Sequence, residues 1–155
     1  MKSRTSAVLM LAAIVCLCAS IAGAQTKPNF SGTWKMNPQK SKFEGGEGPS
    51  SIVIKIDQKD PGISESVTVG GSNGDETVEG KYTTDGKESE VQLGPNTAKA
   101  TARWEGDALV IEWKGEGLSF RRKHTLSADG KTMTMAVHRP GKDGEVDETV
   151  VLEKQ

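Results

Sequence analysis

Short runs of alternating apolar and polar residues, separated by turn residues, fill the chain after residue 25 and constrain its fold most. The alternation has a period of two, which is typical of strands with one buried face. Asp-Gly and Asn-Gly pairs between the runs supply the positive φ that tight hairpins require. All connections but one are short, so successive strands are predicted to pair antiparallel. The predicted strands cover residues 29–36, 51–57, 63–69, 76–83, 89–93, 98–104, 108–114, 118–126, 132–138 and 146–153.

An open sheet built from these strands would expose two unpaired edges, and closing it into a barrel removes them. The predicted fold is therefore all-β, an antiparallel up-and-down barrel of eight to ten strands. The one longer connection, residues 37–50, is predicted to begin with a single helical turn started by Asn37 and Pro38. Its second half is rich in glycine and is predicted to be a loop.

The first 24 residues have the three parts of a secretory signal. Lys2 and Arg4 precede an apolar run over residues 7–21, and Ala22-Gly23-Ala24 provides a small-residue cleavage site. A membrane anchor is the alternative, but a spanning helix needs about 20 apolar residues and this run is shorter. We predict a signal peptide over residues 1–24, a single barrel domain over residues 25–155, and a secreted or periplasmic location.

Cleavage of the signal changes what chemistry the remaining chain can perform. Both cysteines, Cys16 and Cys18, lie in the signal, so the mature chain has no disulfide, thiolate nucleophile or cysteine metal ligand. Two of the 20 basic residues and none of the 21 acidic ones are lost, which leaves a net charge of about −3. This balance argues against nucleic acid and anionic membrane surfaces as partners, because both attract clustered Lys and Arg.

The segment Phe30-Ser-Gly-Thr-Trp-Lys35 places Gly32 and Trp34 on the first predicted strand. A Gly-x-Trp ahead of an up-and-down meander resembles the calycin superfamily, the lipocalins and fatty-acid-binding proteins. The longer string FSGTWKMNPQKSKF is similar to small secreted bacterial lipocalin-like proteins. The resemblance implies a lipocalin-like barrel closed at one end by Gly32 and Trp34, with the ring of Trp34 packed against a late-strand arginine, for which Arg122 is the candidate. Trp34 as simple core and Arg122 at the solvent remains the alternative.

Fatty-acid binders of this group also hold a carboxylate with an Arg-x-Tyr near the C-terminus. When the terminal Glu-Lys is aligned, Val150 and Leu152 stand at those two positions. The clamp is therefore missing, and the resemblance alone does not imply a fatty acid.

Inward-facing aromatic, sulfur-containing and polar residues are the predicted ligand-binding set, because barrel pockets are mostly apolar with a few polar groups. Alternation places Arg122 and His124 on the same inward face, where they could meet an anionic ligand group, and turns Arg121 and Lys123 outward. His124 could also be an axial haem ligand, but no second ligand is visible, so no cofactor and no metal site are predicted. The predicted ligand-binding residues are Tyr82, Trp104, Trp113, Phe120, Arg122, His124, Met133 and Met135.

The sequence gives little basis for nucleophilic or metal-dependent catalysis, since it contains no Gly-x-Ser-x-Gly elbow and no histidine-rich ligand set. We predict an exported, monomeric, non-enzymatic module that binds a small apolar or amphipathic molecule. The alternative is a structural or protein-interaction module of the cell envelope, which would have a filled lumen and an apolar outer patch. An enzyme such as an isomerase on a calycin scaffold would need a perturbed acid or base inside the cavity.

Overall fold

The computed structural model describes residues 26–44, 48–93, 95–115 and 117–155, and these contain ten β-strands. The predicted signal, residues 1–24, lies outside the described residues. None of the described residues form a helix long and apolar enough to cross a membrane. The strands are β1 (Gly32–Met36), β2 (Ser51–Lys59), β3 (Gly62–Gly71), β4 (Gly74–Thr83), β5 (Asp85–Leu93), β6 (Asn96–Glu105), β7 (Ala108–Gly115), β8 (Leu118–Leu126), β9 (Thr132–Pro140) and β10 (Glu145–Lys154).

The strands form one antiparallel sheet in the order β4-β3-β2-β1-β10-β9-β8-β7-β6-β5. Every neighbouring pair follows the chain except β1 and β10, which join its two ends and pair Trp34 with Lys154. β4 and β5 end the order and lie side by side, so the sheet curls into a nearly closed barrel. The prediction of an all-β, up-and-down barrel of eight to ten strands is confirmed.

Strand β1 begins at Gly32, three residues later than predicted. The backbone of the preceding residues forms hydrogen bonds with the Gln58 side chain and not with a neighbouring strand. The Phe30 amide donates to Gln58 Oε1 at 2.9 Å, and Gln58 Nε2 donates to the Pro28 carbonyl at 3.1 Å. These bonds hold the segment across one end of the barrel. This end, where Phe30 is fully buried, is called the Phe30 end.

The opposite end carries the connection between β1 and β2, and we call it the Phe120 end. The connection begins with a hydrogen-bonded turn, as predicted, in which the Lys40 and Ser41 amides donate to the Asn37 carbonyl at 3.3 and 3.1 Å. Lys42 then forms a bridge with Thr149, and Phe43 packs against the core. Residues 45–47 of the predicted loop lie outside the described residues.

Charged side chains cover the outer face of β6, β7 and β8. Arg103 pairs with Glu105 and Glu112 at 2.9 Å, and Arg121 pairs with Glu105 at 2.8 Å. Lys123 lies 3.8 Å from Glu105 in the same network. The prediction that Arg121 and Lys123 face outward is therefore confirmed.

Candidate functional site

A cavity of about 210 Å³ lies inside the barrel below the Phe120 end. Its walls come from strands on both sides of the barrel, and almost all of them are apolar. Val67 on β3 pairs directly with Val78 on β4, and the Phe120 ring stacks on Trp113 at a centroid distance of 5.0 Å. The lining residues are Ile52, Val67, Val69, Val78, Leu93, Trp113, Phe120, Arg122 and Met135.

Two lining residues with polar groups, Trp113 and Arg122, form a cluster with Glu65 and Tyr82 beside the cavity, and we call these four residues the Glu65 cluster. Arg122 Nη2 donates to Glu65 Oε1 in a buried ion pair, and the Tyr82 hydroxyl donates to the same oxygen at 2.9 Å. The side chains of Arg122 and Glu65 are only 7% and 1% exposed. The guanidinium lies 5.1 Å from the Trp113 ring centroid, an arrangement that adds cation–π attraction.

The local sequence explains how Tyr82 reaches Glu65. Glu65 alternates with Ile63 and Val67 on the inward face of β3 and stands directly opposite Gly80 on β4. Gly80 has no side chain, and the ring and hydroxyl of Tyr82 fill the space that its Cβ would occupy. The glycine therefore provides the room in which the Tyr82 hydroxyl meets the carboxylate.

Burial and charge fix the protonation of this cluster. Burial, followed by the nearby Glu65 charge, raises the pKa of Tyr82, so the phenol stays neutral. Burial works against the charge of Arg122, but Glu65 and Tyr82 together outweigh it and the pKa of Arg122 is raised. The cluster therefore contains one cation paired with one anion beside a neutral phenol.

Three buried atoms of the Glu65 cluster have no hydrogen-bond partner among the described residues: Glu65 Oε2, Arg122 Nε and Trp113 Nε1. Leaving a buried polar atom unpaired costs about 1–3 kcal/mol, so such groups normally have a partner. Two unpaired donors thus lie on residues that line the cavity, and one unpaired acceptor lies on Glu65, the partner of Arg122.

The structure brings together five of the eight predicted ligand-binding residues and separates the other three. Tyr82, Trp113, Phe120, Arg122 and Met135 lie in or beside the cavity wall. Trp104, His124 and Met133 face inward nearer the Phe30 end, where the Phe30 ring lies 6.0 Å from Trp104 and 6.2 Å from His124. Their part in ligand binding stays a prediction.

His124 is fully buried, and neither ring nitrogen has a partner among the described residues. Burial, and then the positive charge of Arg122, lowers the pKa of His124 to about 3. His124 is therefore neutral at pH 7 and packs beneath Phe30, while Arg122 is paired with Glu65. The two side chains do not form the joint anion site that their shared face suggested.

The expected contact between Trp34 and Arg122 is wrong, because Arg122 pairs with Glu65 across the lumen. Trp34 is fully buried at the Phe30 end, and its Nε1 donates to the Phe30 carbonyl at 2.8 Å. Lys154 supplies the cation instead, with its Nζ 5.3 Å from the Trp34 ring centroid. A Cβ on Gly32 would come within 2.8 Å of Lys154 Cε, so this glycine leaves room for the lysine.

Sequence reasoning missed Glu65 and Gly80, which stand beside Tyr82, and also several apolar residues of the cavity wall. A signal for Glu65 was present, because a carboxylate stands between Ile63 and Val67 on an otherwise apolar face. No comparable signal marked the missed apolar wall residues, which are typical core residues: Ile52, Val67, Val69, Val78 and Leu93.

No family model matches the chain, and no curated protein matches its sequence. Solved structures do resemble it. A mutant of the fatty acid transporter REP1-NXSQ is 16% identical over 81% of this chain and 97% of its own, with a TM-score of 0.60. Zebrafish ileal bile acid-binding protein, complexed with cholic acid, is 21% identical over 81% and 98%, with a TM-score of 0.58. Secretory abundant heat soluble protein 4 from Ramazzottius varieornatus is 12% identical over 85% and 99%, with a TM-score of 0.65. At these identities the likeness shows the fold alone, and it agrees with the barrel fold that the calycin resemblance of the Gly-x-Trp opening implied.

Proposed function

We propose that this chain is an exported, non-enzymatic barrel that binds a small apolar or amphipathic molecule in the cavity below the Phe120 end. The observation that carries the proposal is the cavity itself, whose walls are apolar apart from the Arg122 guanidinium and the Trp113 indole nitrogen. Small-molecule sites usually combine apolar walls with a few convergent polar groups. The volume of about 210 Å³ favours a short ligand.

The similar structures add support, since one carries the name of a fatty acid transporter and another was solved with cholic acid. Both ligands are amphipathic molecules. Export is supported by the predicted signal over residues 1–24. Intact-mass analysis of the protein from its own host should find a mature chain that begins at Gln25.

Native mass spectrometry of the protein purified from its own host tests ligand binding. We expect an adduct that is lost on denaturation, and we expect the protein to bind N-phenylnaphthylamine, an uncharged apolar dye. A Val69→Trp substitution should abolish both signals, because the larger side chain fills the cavity that Val69 lines. Val53 lies on the outward face of β2, so Val53→Trp is a matched control that should keep both. No adduct and no dye binding, or equal binding by the two variants, would refute the proposal.

A further inference from the structure

We infer that the cavity selects ligands with an uncharged polar head group, a hydroxyl or a primary amide, and disfavours a carboxylate. The inference rests on the proposed function and specifies the ligand class of the same site. The feature that carries it is the Glu65 cluster, in which the cavity arginine already has a buried carboxylate as its partner.

The first step is the charge balance of the lumen. Among the described residues, Glu65 and Arg122 are the buried side chains that carry charge, and they pair with each other. A ligand carboxylate next to Arg122 would also lie next to Glu65, and like charges repel strongly where water is excluded. Displacing Glu65 from the arginine would leave a buried carboxylate without its counter-charge, which is costly. A ligand ammonium meets the same difficulty from Arg122.

The second step is the set of hydrogen-bonding positions that remain open. Glu65 Oε2 can accept one hydrogen bond, while Arg122 Nε and Trp113 Nε1 can each donate one. A hydroxyl or a primary amide donates and accepts at the same time, so either group can satisfy both kinds of atom. A carboxylate only accepts, and it would leave Glu65 Oε2 unpaired.

The third step is that the ion pair is held in place. The Tyr82 hydroxyl, seated over Gly80, donates to Glu65 and keeps the carboxylate on the β3 side of the lumen. The guanidinium of Arg122 lies 5.1 and 5.9 Å from the ring centroids of Trp113 and Phe120. With both partners fixed, Glu65 cannot move aside at low cost to give its place to a ligand carboxylate.

Isothermal titration calorimetry at pH 7 tests the inference with four probes that share one alkyl chain: octanol, octanamide, octanoate and octylammonium. We expect octanol and octanamide to bind the unmodified protein at least about tenfold more tightly than either ion. Octanoate binding as tightly as octanol would overturn the inference and leave the proposed function standing. Binding by none of the four probes would overturn both.

A Glu65→Gln variant gives an independent test. It removes the competing charge, so the affinity for octanoate should rise by about tenfold while that for octanol changes by less than about threefold. Glu153→Gln is the matched control, because Glu153 pairs with Lys40 in an exposed ion pair, and it should keep the original ranking. A folded Glu65→Gln variant with an unchanged ranking would contradict the inference. If that variant does not fold, the probe ranking of the unmodified protein decides.

Discussion

Replacing Glu65 with glutamine is expected to lower the free energy of unfolding by about 3–5 kcal/mol, the usual cost of breaking a buried ion pair from one side. Glutamine keeps the size of the side chain and can still accept the Tyr82 hydroxyl, so the substitution removes mainly the charge. The Arg122 side chain is 7% exposed and would keep its charge without a counter-ion. Two unit charges 4 Å apart attract by about 4 kcal/mol at an effective dielectric constant near 20, which agrees with this range.

Urea unfolding followed by tryptophan fluorescence measures the loss, since Trp113 lies against the guanidinium. With a denaturant slope of about 2 kcal/mol/M, the midpoint should fall by about 2 M while the slope stays unchanged. The double variant Glu65→Gln/Arg122→Met should recover most of the stability, because apolar replacement of a whole buried ion pair is often neutral. Glu153→Gln is the control and should cost less than about 1 kcal/mol, since Glu153 and its partner Lys40 are both exposed.

If Glu65→Gln lowers the free energy of unfolding by less than about 1 kcal/mol, the reasoning is refuted, because burying a guanidinium without a counter-charge costs more than that. A double variant whose loss equals the sum of the two single losses would refute it as well. Additivity of that kind would mean that the two side chains do not interact.

Two further predictions concern His124 and Gly80. Burial and then Arg122 lower the pKa of His124 from 6.5 to about 3, so at acidic pH the unfolded chain binds a proton that the native state does not bind. The free energy of unfolding should therefore decrease as the pH falls below 6.5, by about 2 kcal/mol at pH 5. In urea titrations from pH 7 to pH 5, His124→Leu should flatten this decline, whereas His138→Gln, an exposed control, should not. Parallel curves of unfolding free energy against pH for the unmodified protein and both variants would contradict the role of His124. Gly80→Ala should cost about 1–3 kcal/mol, because its Cβ would displace the Tyr82 ring and hydroxyl. A Cβ at Gly71 would meet its nearest atom at 3.6 Å, so Gly71→Ala should have little effect on the urea midpoint, and equal losses would contradict the steric reason.

The strands and their faces were predictable because alternation is a local property of the chain. The parity of a position decides the side of the sheet to which its side chain points, and so Arg121 and Lys123 lie outside while Arg122 lies inside. Turn residues fixed the ends of most strands for the same reason. The exceptions are the start of β1, where a tertiary contact with Gln58 replaced the ladder, and the start of β5, which lies at Asp85 and not at residue 89.

The amino-acid sequence by itself thus determined a meander of antiparallel strands, the inward or outward face of each residue, and the closure of the sheet that unpaired edges favour. Only the tertiary structure decided which inward residues meet. Glu65 and Arg122 are 57 positions apart, and Lys154 reaches Trp34 because β10 pairs with β1. Alternation gives the face of a residue but neither its depth in the barrel nor its neighbour across the lumen. Those depend on how the strands of the closed sheet are staggered and on the free energy of burying a charge. Because a buried guanidinium needs a counter-charge, Arg122 pairs with Glu65, and Lys154 is the cation that contacts the Trp34 ring.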